Sequence, residues 1–301
     1  MKTLICALPL LGAAVPLAAQ GGYPDLVKLD SEFLEFRKPK LVDGVPDLRP
    51  AEIERRRAGL DEFQKRLRAI DTSSWTVPQK VDYLVVWAKV NTLVFDHRVL
   101  KPWARDPLLY HDFVNEIPYT EVPVPAGDKL TEFRSRLQSV PGVLSQAQAN
   151  LTEANGELAK LAIFYLENFD GVGQGEPYRD RPPAGTIGWY RDLCGRLASA
   201  HRELLPDCEA ALKAAEGYRD WLKANVGRMP PSAAIGMDNF NWYLKHVRLL
   251  PFVADDLILL GEREFHRYRT NYPERSGALG PGFASRWSAA FASSPARRES
   301  S

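Results

Sequence analysis
From Pro50 to Tyr268 the apolar residues return every three or four positions, and no sustained apolar–polar alternation interrupts them. A spacing near 3.6 is that of helices, and alternation by two is that of half-buried strands. The fold class that follows is all-α, an irregular multi-helix array. Ile53, Leu60, Phe63, Leu67 and Ile70 form one stripe over Pro50 to Asp71, with Glu52, Glu54, Arg55, Arg56 and Arg57 as a charged outer face. Thr76-Val77-Pro78-Gln79 has the form of a capping box and opens a helix reaching about Leu100. Tyr83 to Trp87 is apolar nearly all round, which predicts a central, buried helix.

Asp106 to Tyr119 is mixed and aromatic, and Glu121 to Gly127 carries Pro123, Pro125 and Gly127, so a long connection is expected there. Helices resume at Asp128 with Leu130, Phe133 and Leu137 on one stripe. Pro141-Gly142 breaks the pattern, and Pro141 suits the first turn of a new helix carrying Val143, Leu144, Ala147 and Leu151. Further helices are expected at Gly156 to Phe169, at Thr186 to Leu204 and Glu209 to Val226 around Pro206, at Met237 to Val247 and at Ala254 to Tyr268. Asp170 to Pro183, rich in Gly and Pro, reads as a loop.

The two ends differ from this body. Met1-Lys2 precedes an apolar run from Leu4 to Ala19, and Leu17-Ala18-Ala19-Gln20 offers small residues for cleavage. This is a secretory signal pattern over residues 1–20, since the run of about 16 is short of the ~20 that span a bilayer. The expected location is periplasmic or extracellular. Cys6 precedes most of the apolar run, so it is not read as a lipidation site. Residues 21–272 form the helical domain. Residues 273–301, dominated from Ser276 by Ser, Ala, Gly, Arg and Pro, read either as a low-complexity disordered tail or as a shifted reading frame.

Lys and Arg number 39 against 38 Asp and Glu, a net charge of +1. No basic excess invites nucleic acid, or a membrane surface once the leader is gone. Cys194 and Cys208 remain after cleavage. An oxidising compartment permits a bridge, but two buried free thiols are expected, because both sit in strongly helical sequence.

The five histidines, His97, His111, His201, His246 and His266, form no His-Glu-x-x-His motif. His97 follows Asp96 near a helix end and reads as a cationic cap. Glu262 and His266 share a helix face but do not complete a metal site. Gly171-Val172-Gly173-Gln174-Gly175 has the wrong spacing for a phosphate loop. One segment is dense in chemistry, Ala234 to Val247. On a helix, Phe240, Tyr243, Leu244 and Val247 share one face, and Asn241 and Lys245 share another, with Trp242 and His246 between. Such a helix is either a buried aromatic helix or a cleft wall. As a wall it would offer Asn241, Lys245 and His246 to a peptide or small-molecule ligand, with Tyr243 adding a hydroxyl.

Several stretches carry a family resemblance: Asp106-Pro107-Leu108-Leu109-Tyr110, the run from Arg136 to Pro141 leading to Gln146 to Leu151, Ile235-Gly236 through Tyr243-Leu244, and Leu260-Gly261-Glu262-Arg263-Glu264. In this order, over residues 25 to 272, they resemble the bacterial family called domain of unknown function 885. The resemblance implies an exported, peptidase-like helical fold of the metallocarboxypeptidase kind. The metal motif it implies, a His-Glu pair followed by Pro-Gly-His, lies in the family's C-terminal half, and nothing in this sequence matches it. No metal ligand or cofactor is therefore assigned to this chain; a divalent metal such as zinc is implied only for full-length relatives. The expectation is a non-catalytic N-terminal half of a longer, peptidase-like protein. The alternative is a helical binding module without catalysis.

Overall fold
The computed structural model describes residues 22–42, 45–168 and 180–271. The expected leader, the Gly171–Gly175 segment and the expected tail after residue 271 lie outside the described residues, as do Cys6 and most of the expected loop from Asp170. The described chain is all-α apart from one two-residue hairpin. It divides into two units, the first ending at Gly236 and the second beginning at Met237.

In the first unit, helix α1 (Tyr23–Phe36) is followed by strands β1 (Leu41–Val42) and β2 (Val45–Pro46), paired antiparallel with Val42 opposite Val45. Helices α2 (Pro50–Arg68) and α3 (Val77–Phe95) pack with α1. Leu26, Leu29 and Phe33 of α1 are buried, and so are Leu60, Phe63 and Leu67 of α2. Phe63 sits edge-on to Phe33, with ring centres 5.3 Å apart. Edge-to-face rings add about 1 kcal/mol to the area they bury. Sequence periodicity had not singled out α1.

The stripe on α2 holds, with one correction. Glu52, placed on the outer face, is 6% exposed. Its carboxylate accepts from Arg55 Nε at 2.7 Å and Nη2 at 2.6 Å, which compensates its burial. The capping box at α3 forms as expected: Thr76 N donates to Gln79 Oε1 at 3.0 Å. The expected all-round burial of α3 does not hold. Val86, Val90 and Val94 are buried, whereas Val81, Leu84 and Val85 are each about half exposed. An apolar face is covered only where a second layer reaches it, and α1 and α2 pack one side.

The helix does run to Leu100, but its last turn, Asp96–Leu100, is a π-turn closed by Lys101 N donating to Asp96 O at 2.7 Å. Lys101 then takes φ +44°, and α4 (Pro102–Arg105) and α5 (Pro107–Asn115) follow. Much of the stretch expected as a connection is thus helical. Asp106 caps α5 by accepting from Leu108 N at 2.9 Å, and Pro107 occupies the first turn, where its missing N–H costs nothing.

Helices α6 (Asp128–Asn150), α7 (Gly156–Glu167), α8 (Gly185–Ala200) and α9 (Leu205–Asn225) form the main core with α5. Pro141 does not start a new helix; α6 passes through it. An interior proline costs about 3 kcal/mol. Leu137, Val140 and Leu144 beside it are at most 1% exposed, and their burial at ~2 kcal/mol each offsets that cost. Two helices meet near Pro206 as expected, but the turn between them lies at Arg202–Leu204 and Pro206 sits in the first turn of α9, which starts four residues earlier than expected.

Cys194 on α8 and Cys208 on α9 are joined by a disulfide, which corrects the expectation of free thiols. The chain turns back through a 3₁₀ turn at Arg202–Leu204, so positions 14 apart in sequence face each other with Cα atoms 5.6 Å apart. That is within the range a disulfide spans.

The second unit holds α10 (Met237–His246) and α11 (Ala254–Asn271). Leu249 with φ +54° lies in the connection, and Leu250 N donates to Leu244 O at 2.9 Å. Among the described residues no helix is long and apolar enough to cross a membrane.

Candidate functional site
The four residues singled out in the sequence, Asn241, Tyr243, Lys245 and His246, all lie on α10. Leu244 is the buried anchor of this helix, while Phe240 is 37% exposed. Asn241 faces the start of α11, where its Oδ1 accepts from Ala254 N at 2.7 Å. That bond satisfies an otherwise orphan helix donor. The His246 ring lies 4.9 Å from the Trp242 ring, and both residues are half-buried. Lys245, one turn beyond Asn241, is exposed. The helix face drawn from the sequence therefore exists, with Asn241 engaged in joining two helices.

A cavity of mixed polar and apolar lining lies elsewhere, within the first unit. Its volume is about 490 Å³, and it lies between the α6–α7 connection and the end of α9. Arg105, Glu153, Asn155, Trp221 and Arg228 contribute its polar and aromatic lining. Asn155, 2% exposed, organises it. Its Oδ1 caps α7 by accepting from Glu157 N and Leu158 N at 3.0 and 3.1 Å. Its Nδ2 donates to Pro230 O at 3.1 Å, and its backbone N donates to Arg105 O at 3.0 Å. Gly156 N donates to the same Pro230 carbonyl at 2.8 Å. One asparagine thus ties three walls together.

Two lining residues are tied to the π-turn and to the residue that closes it. Arg105 Nη1 donates to Val99 O at 3.0 Å, and Lys101 Nζ lies 2.8 Å from Glu153 Oε1. Within the π-turn itself, His97 is 9% exposed, and its Nδ1 has no hydrogen-bond partner among the described residues. Burial, with Arg56 adding, pushes its imidazole down to about 4. His97 is therefore neutral at pH 7, not the cationic cap expected, because the desolvation of a charged ring outweighs the attraction of a helix end.

A second polar cluster has the outline of a nucleophilic relay. His111 Nε2 lies 3.0 Å from Thr186 Oγ1, and His111 Nδ1 lies 3.2 Å from Asp112 Oδ1. Thr186 is fully buried, and its hydroxyl also reaches Asn115 Oδ1 at 3.1 Å. A hydroxyl that no substrate can approach is a packing element, and this network satisfies buried polar groups. Among the described residues no three His, Cys, Asp or Glu side chains gather as metal ligands would.

A family model described as bacterial protein of unknown function, DUF885, matches residues 36–299. The chain belongs to this family. The match passes beyond Tyr272, where the recognised stretches had ended, into the compositionally distinct segment. A likeness of fold is also visible in three dimensions. The chain is similar to the solved structure of a lipoprotein candidate of unknown function from Shewanella oneidensis, at 18% identity and a TM-score of 0.58. The similarity covers 87% of this chain and 49% of that one, so this chain spans about half the length of the structure it matches. No curated protein matches it.

The residues of the cavity were not found from sequence. Arg105, Asn155, Trp221 and Arg228 stand on four separate segments, and no local spacing connects them. The one local signal was Asn155-Gly156, an N-cap pair at the start of α7.

Proposed function
We propose that this chain is the non-catalytic N-terminal portion of an exported DUF885 protein, the longer relatives of which resemble metal-dependent peptidases. The observation that carries this reading is the unequal coverage: 87% of this chain lies on 49% of its structural neighbour. The Cys194–Cys208 bridge supports export, because such bonds persist in oxidising compartments and are rare in the cytosol. The purified chain is expected to leave a panel of fluorogenic peptides intact with and without added zinc. Zinc-dependent turnover that follows the chain through purification would overturn the reading.

A second reading, a helical binding module without catalysis, is favoured by the cavity around Asn155. On this reading the α10 residues Asn241, Tyr243, Lys245 and His246 would form a further contact surface for a peptide or small ligand. Ligand quenching of tryptophan fluorescence should then weaken in His246→Ala and Lys245→Ala. Identical titrations for both variants and the parent would remove α10 from the site.

A further inference from the structure
We propose that the cavity bounded by Arg105, Asn155, Trp221 and Arg228 binds a small organic carboxylate with a flat apolar body; this deepens the binding-module reading. The charge balance comes first. Glu153 is the acidic residue of the lining, and it is taken up by Lys101 at 2.8 Å. Arg105 and Arg228 have no carboxylate within ion-pair distance among the described residues. The cavity therefore carries surplus positive charge on guanidinium groups, which pair in-plane with carboxylates through two parallel bonds.

The aromatic wall supplies the second part. Trp221 is half-buried, and its ring lies nearly parallel to that of Tyr218, 6.3 Å away. Tyr218 is itself fixed, donating from Oη to Pro107 O at 2.8 Å. A rigid indole beside Leu151 and Met229 offers a flat apolar surface at little entropic cost. The volume of about 490 Å³ is in the usual range for small-ligand sites.

The choice of carboxylate over phosphate rests on the backbone. Phosphates favour free N–H groups at a helix start. Here Gly156 N is taken by Pro230 O, and Glu157 N and Leu158 N are taken by Asn155 Oδ1. Recognition is left to the Arg228 fork and to the charge of Arg105, whose Nη1 is already given to Val99 O. The walls are already tied to one another by Asn155, so the site is preformed.

The test uses a matched series: 2-naphthoate, its neutral amide 2-naphthamide, and 2-naphthyl phosphate, titrated calorimetrically into the full chain. Saturable one-to-one binding of 2-naphthoate is expected, weakened by added salt. Arg228 is exposed, so Arg228→Gln should leave the melting temperature unchanged and reduce affinity about ten-fold or more. Trp221→Leu should weaken binding without altering its salt dependence. Absence of naphthoate binding, equal binding of the amide, tighter binding of the phosphate, or an unchanged affinity in Arg228→Gln would each overturn the proposal. The hydrolysis assay is independent of this series, so a failure here leaves the non-catalytic reading standing.

Discussion

Asn155 and Pro230 are joined directly: the Asn155 side-chain amide donates to the Pro230 carbonyl at 3.1 Å, and the next backbone amide donates to the same oxygen at 2.8 Å. This pair of hydrogen bonds to one acceptor fixes the segment after α9 against the start of α7. It is the joint on which the cavity depends. Asn155→Ala removes both the cap and the bridge and should cost about 2 kcal/mol. Asn155→Asp keeps the cap, loses the donor and should cost about half as much. Urea titrations of the two variants would measure the difference. Equal losses would mean that the bridge to Pro230 contributes nothing.

The Cys194–Cys208 bridge joins α8 to α9 within the main core. Closing a loop of this length stabilises a fold by ~3 kcal/mol in the chain-entropy account. Reduction, or the double replacement Cys194→Ala with Cys208→Ala, should lower the melting temperature by roughly 6–12 °C. A melt indifferent to dithiothreitol would show that the bridge is not formed in solution.

The buried His97 predicts a definite pH dependence. Its folded value, about 4, lies below the ordinary histidine value of 6.5. Between the two the unfolded chain binds more protons, so stability rises with pH across this window. It is fully present above pH 6.5 and is lost as pH falls toward 4, by a few kcal/mol at most. Burial raises the Asp96 carboxyl, and that group contributes the opposite sign from the carboxylate range upward. Unfolding free energies of the parent and of His97→Gln, compared from pH 4.5 to 7, should differ in slope. Parallel curves would rule out His97 as the source.

Gly185 begins α8 with φ +66°, and a Cβ there would run into the Leu166 carbonyl at the end of α7. Both the backbone conformation and the contact oppose a side chain. Gly185→Ala should destabilise the fold by about 2 kcal/mol or more, whereas Gly195→Ala, in open space on the same helix, should be neutral or stabilising. Thermal melts of the pair provide the comparison.

Local chemistry was legible where the deciding atoms are neighbours in sequence. Thr76 and Gln79 sit three residues apart, and their bond could be read directly. The apolar stripes of α2 and of the first half of α6 were legible for the same reason. Pro141 was misread because its local penalty is offset by burial that only the packed helices create. Glu52 was misread because Arg55 keeps its charge compensated at a buried position. The α10 residues were found as a helix face, but the role of Asn241 toward Ala254 depends on how α10 and α11 meet.

The sequence by itself determined that this chain is helical and roughly where most helices start and stop, since both depend on spacing within a few residues; the order of its recognisable stretches, taken together, carried the family resemblance. Only the tertiary structure decided that Cys194 meets Cys208, that His97 is buried and neutral, that α3 keeps an exposed apolar side, and that Arg105, Asn155, Trp221 and Arg228 surround one cavity. These depend on distances between helices far apart in the chain, and periodicity carries no information about which helix lies next to which.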